Sequence, residues 1–100
     1  MAIFKMSVSV DGAQERCNTP CRKFSHTIGG EKFWFALHQV DGEAVKTVSH
    51  FESGKRVCAS KYGYIAGQGA YDEVSGARKA LDELVGRVGE ARVRSVLAGA

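Results

Sequence analysis

The sequence predicts an α+β domain: an N-terminal antiparallel β-sheet of four to five strands, followed by two C-terminal α-helices packed on one of its faces. Three observations carry this expectation. Apolar residues alternate with a period of two over the first half of the chain. Paired turn residues, Asp11-Gly12, Gly29-Gly30, Asp41-Gly42 and Ser53-Gly54, interrupt that alternation at hairpin spacing. Beyond Asp72 the period changes to that of a helix.

Along the first strand, Ala2, Phe4, Met6, Val8 and Val10 alternate with Ile3, Lys5, Ser7, Ser9 and Asp11, which describes a half-buried strand. The segment from Asp11 to Cys21, with the single proline Pro20, reads as irregular. Phe24, His26 and Ile28 then oppose Lys23, Ser25 and Thr27. Gly29-Gly30 supplies the positive φ angles of a two-residue hairpin, which sets Ile28 against Glu31, His26 against Phe33 and Phe24 against Phe35. A slip of one residue would separate these apolar faces.

The third strand, from about Lys32 to Val40, is apolar on both faces. Phe33, Phe35 and Leu37 point one way, and Trp34, Ala36, His38 and Val40 the other. Ala44 to Phe51 reads as a fourth strand and Arg56 to Ala59 as a short fifth. Val74, Ala77, Leu81, Leu84, Val85 and Val88 form one helical stripe, with Asp72 and Glu73 at the positive end of its dipole and Arg87 at the negative end. Gly76 costs that helix about 1 kcal/mol relative to alanine, which points to a close helix–sheet approach there. Gly89 breaks it, and Glu90 to Ala98 forms a second helix with Val93, Val96 and Leu97 facing inward. The first helix should cover the sheet face holding Phe4, Met6, Val8, Phe24, Phe33 and Phe35.

One hundred residues make a single domain spanning 1–100. The longest apolar run is Phe33 to Leu37, far short of the roughly 20 residues of a membrane helix. The opening Met1-Ala2-Ile3-Phe4-Lys5 lacks a basic-then-apolar leader, so a cytoplasmic protein is expected. Residues 1–66 carry nine Lys and Arg against six Asp and Glu, residues 67–100 five against five, for a net charge of +3. That excess permits an acidic partner but falls short of the dense basic patches of avid nucleic-acid binders.

Candidate chemistry is sparse. Cys17 and Cys21 have a C-x3-C spacing compatible with zinc, with Asn18-Thr19-Pro20 as a turn between them, but no second pair completes four ligands. His26, five residues after Cys21, belongs to the apolar face of its strand, and no metal or other cofactor is expected. A Cys58–His50 contact across the fourth and fifth strands is conceivable, yet no acidic residue is placed to orient His50, so no catalytic residue is assigned. Gly63, Gly67 and Gly69 precede the first helix without the Lys-Ser or Lys-Thr of a phosphate-binding loop.

What remains is surface recognition. Trp34, Ala36, His38 and Val40 form an apolar strip on the outer sheet face, and such strips mark interfaces. A loop folding over it, from 11–22 or 61–69, or a second copy of the chain would bury it equally well. Trp34 and His38, with Lys32, Lys55 and Arg56 beside them, are the expected partner-binding residues. Stand-alone α+β proteins of this size without catalytic signature are common among accessory proteins of phages and mobile elements, anti-CRISPR proteins among them. By that analogy of size and class, the expectation is a non-enzymatic inhibitor that sterically blocks a host protein or nucleoprotein complex. The rival expectation is a sheet-based binder of single-stranded nucleic acid, which would stack bases on Trp34, with Tyr62 or Tyr64 nearby.

Overall fold

The computed structural model describes residues 2–40, 46–60 and 73–99. Its elements are β1 (Ala2–Val10), β2 (Ala13–Ile28), β3 (Glu31–His38), β4 (Thr47–His50), β5 (Arg56–Ala59), α1 (Glu73–Val88) and α2 (Glu90–Ala98). The strands form one antiparallel meander in the order β1-β2-β3-β4-β5, with the helices following it. Asp41-Gly42 and the glycines at 63, 67 and 69 lie outside the described residues, as do Tyr62 and Tyr64.

The β2–β3 hairpin has the expected register, with Ile28 against Glu31, His26 against Phe33 and Phe24 against Phe35. Its turn residues, Gly29 and Gly30, have φ of 59° and 81°. Phe24, Ile28, Phe33, Phe35, Leu37 and Val48 share one face of the sheet, and Ala77, Leu81, Val93 and Leu97 of the helices close over it. Gly76 is buried on α1 beside Ala77. The helices are also tied to the hairpin by polar contacts. Arg78 Nε donates to the Ser25 carbonyl at 3.1 Å, Arg94 Nη1 to the Gly29 carbonyl at 3.3 Å, and His26 Nε2 lies 2.8 Å from Asp82 Oδ1.

Three expectations are corrected. The segment 11–21 is not irregular: β2 begins at Ala13, and Asp11-Gly12 is a two-residue turn with both φ positive, at 50° and 81°. Residues 13–21 pair with β1 on one side, and β3 joins the other side only from Arg22 onward. A one-sided ladder tolerates Pro20, which has no N–H to give a second neighbour. Phe4 and Met6 are not under the helices. They pack on the opposite sheet face, where Phe4, Cys21 and Ala36 form a second small core flanked by Ala2, Met6 and Phe51. Val96 of α2 points outward and is 64% exposed. At about 100° per residue, Val93 and Leu97 define the buried stripe of so short a helix and Val96 falls to its flank.

β1 thus curls back across the outer face. Its far edge meets the turn between β4 and β5: the Ser7 amide donates to the Gly54 carbonyl at 3.0 Å, and Ser7 Oγ to the Ser53 carbonyl at 2.8 Å. Arg16 on β2 clamps the same junction, donating through Nε to the Lys5 carbonyl and through Nη2 to that of Glu52, each at 2.9 Å. Gly54 adopts φ of 74°, and a Cβ there would overlap the backbone carbonyl of Lys5. Conformation and contact both demand glycine. Gly54→Ala should therefore cost at least about 2 kcal/mol of stability in urea denaturation. An unchanged midpoint would mean that β1 does not sit on this turn.

Candidate functional site

Cross-strand pairing decides what the outer face presents. Lys23, Ser25 and Thr27 of β2 stand beside Ala36, Trp34 and Lys32 of β3, in that register. Trp34 is 39% exposed, whereas Ala36 and His38, further along β3, are buried. The reason is β1: the ring of Phe4 lies 4.8 Å from that of His38 and 6.3 Å from that of Phe51. The expected strip is consequently divided. The segment 11–22 takes part in covering it as the strand paired to β1, and His38 is interior. Its Nε2 lies 2.8 Å from Ser49 Oγ on β4.

Trp34 is set in a cationic frame. The Lys23 Nζ stands 4.8 Å from the Trp34 ring and 4.3 Å from that of Phe51, and the Lys32 Nζ stands 4.9 Å from Trp34. Both ammonium groups are thereby drawn onto aromatic faces, an arrangement worth about 0.5–1 kcal/mol per contact at exposed sites. Lys23 extends the frame into an open trough of about 620 Å³ that Arg22 and Lys46 also line, with buried Cys21 and His38 behind them. Lys32 is therefore where the partner-binding expectation places it, beside Trp34. Lys55 and Arg56 are elsewhere: they line a separate groove against the C-terminal parts of α1 and α2. Lys23 is not among the expected partner-binding residues, although its alternation with Phe24 places it on the face of Trp34.

The cysteines and histidines do not assemble. The C-x3-C segment is extended strand, with Cys17 opposite Met6 and Cys21 opposite Ala2. At about 3.3 Å per residue their Cα atoms lie roughly 13 Å apart, too far for one ion. Among the described residues no group of three or more His, Cys, Asp or Glu side chains converges. Cys58 stands opposite Val48, not His50, and packs against the helix-side core. Burial pushes its thiol up to about 11 against the weaker opposing pull of Arg87 and Arg56, so the nucleophilic thiolate is disfavoured. His50 packs edge-on to Phe35 at 6.4 Å and its Nδ1 lies 2.8 Å from Ser53 Oγ. Burial lowers its pKa, with Glu52 opposing and Lys55 assisting.

Among the described residues no helix is long and apolar enough to cross a membrane. Comparison of the chain with protein-family models, with curated proteins and with solved structures found no match.

Two consequences can be measured. In the native protein at neutral pH, exposed Cys17 should react with iodoacetamide readily and Cys58 only on unfolding. Rapid native labelling of Cys58, resolved by peptide mass, would show an activated thiol instead. The second concerns His50, whose folded-state pKa lies below the 6.5 of the free side chain. The unfolded chain takes up this proton first on acidification. Its share of stability is therefore complete above pH 6.5 and lost as pH falls through the folded value. Urea titrations at stepped pH should show a steeper acid loss for the native protein than for His50→Gln, and identical slopes would remove His50 from the account.

Proposed function

We propose that the protein is a non-enzymatic binding module whose contact surface is the outer sheet face centred on Trp34. The observation that carries this reading is a single half-exposed tryptophan held between Lys23 and Lys32. Large aromatic side chains bury much area at little entropic cost and dominate interface hot spots. Lysines at the rim attract carboxylates and repel other cations, which selects an acidic partner patch. The function that follows is steric: the module occupies an acidic surface of a host protein or nucleoprotein complex and inhibits it, in the manner of small accessory proteins of phages and mobile elements. The size and fold class support that extension by analogy alone.

The rival reading, binding of single-stranded nucleic acid, draws on the same lysines. Against it, base-stacking sheets present two or three aromatics, and Trp34 is the one exposed aromatic among the described residues. Its ring also already carries two ammonium groups that a stacking base would displace.

Because Trp34 is the sole tryptophan, its emission reports occupancy directly. Titration at low salt with polyglutamate should give a saturable shift, weakened roughly tenfold or more by Lys23→Glu with Lys32→Glu. Oligodeoxythymidylate should give none. A response to the oligonucleotide alone, falling steeply with added salt, establishes the nucleic-acid reading instead. Silence toward both probes removes the outer face as an anionic-partner site.

A further inference from the structure

On the other side of the sheet, a groove of about 220 Å³ runs between the β4–β5 turn and the ends of α1 and α2. Its apolar lining includes Val57, Leu84, Val88 and Val96, and its charged lining residues are Lys55, Arg56 and Arg92. Among the described residues no carboxylate lines it. Val88 and Val96 are 41% and 64% exposed, so the apolar surface continues out of the groove onto its shoulders.

We propose that this groove seats an amphipathic helix of a partner protein, with acidic side chains flanking the helix's apolar stripe. Two features select that occupant. The walls are helical ridges: Leu84 and Val88 on α1, and Arg92 and Val96 on α2, are each spaced by four residues. Rows at that spacing leave grooves into which the ridges of another helix interdigitate. Among the described residues the charged side chains lining the groove are cationic, with Lys55 on one bank and Arg92 on the other, which matches glutamates placed on both sides of an inserted stripe. An acyl chain would satisfy the cations with one carboxylate, but it leaves the exposed shoulders at Val88 and Val96 uncovered. Docking of this kind is independent of the Trp34 face, which lies across the sheet.

The test uses a fluorescein-labelled peptide with leucine at positions i, i+3, i+4 and i+7 and glutamate elsewhere, read by anisotropy against the whole protein. Saturable binding in the micromolar range is expected, absent for a scrambled peptide of the same composition. Val96→Glu and Arg92→Glu should each weaken binding at least about tenfold. Val96 is exposed, so its thermal midpoint should stay at the native value and exclude misfolding as the cause. Trp34 emission should remain unchanged on peptide binding. Several results overturn the proposal: equal affinity for the scrambled peptide, full affinity in Val96→Glu, or a Trp34 shift that places the peptide on the outer face. Decanoate binding by calorimetry, lost in Val96→Glu, with no peptide binding assigns the groove to an acyl ligand. Self-association that Val96→Glu abolishes assigns it to a second copy. Either outcome refutes the partner helix.

Discussion

The rest of the molecule depends on Phe4 reaching across the outer face of the sheet. β2 is long enough to pair with β1 over its first half and with β3 over its second, and the two halves share neighbours only around Cys21 and Arg22. That geometry frees β1 to curl over β3, where Phe4 covers Ala36 and His38, and to land on the β4–β5 turn at Gly54. Without it, the apolar second face of β3 would stand in water. The sheet is thereby buried twice, under two helices on one side and under its own first strand on the other.

This double coverage explains why so little of the outer face of β3 stays exposed. Of the four residues on its outer face, Lys32 and Trp34 lie beyond the reach of β1, and Ala36 and His38 beneath it. The surviving surface is small, but its chemistry is well defined. An indole flanked by two ammonium groups combines apolar area with positive potential, and the proposed binding function draws on that pairing.

The histidines show the same economy of polar groups. Each has a hydroxyl or carboxylate partner at 2.8 Å: His26 with Asp82, His38 with Ser49 and His50 with Ser53. Each pair meets the hydrogen-bonding need of the ring nitrogen that makes it, within or beside a core. They account for the three rings as parts of the scaffold. Cys58 fits the same description, as a small apolar group whose thiol burial keeps protonated.

Short-range physics was legible from the residues themselves. The Gly29-Gly30 turn dictates the β2–β3 register because only one register aligns Phe24 with Phe35. The helical periods of 73–88 and 90–98 are set by spacing alone, as is the short fifth strand at 56–59. Asp11-Gly12 carried the same kind of signal, but the polar run after it and Pro20 masked the strand. It is held by pairing with β1, by the Arg16 clamp and by buried Cys21, none of which the local pattern shows. Which face β1 would cover was beyond local pattern, since an alternating strand offers the same apolar side to either sheet face. That choice belongs to the bend of β2 and the Gly54 contact, between residues 47 apart in sequence (Ser7 and Gly54). Tertiary structure therefore decided that His38 is interior, that Trp34 keeps two lysines, and that Lys55 and Arg56 border a different groove. Exposure is a property of what folds over a residue, and the sequence determines only what each residue would prefer to meet.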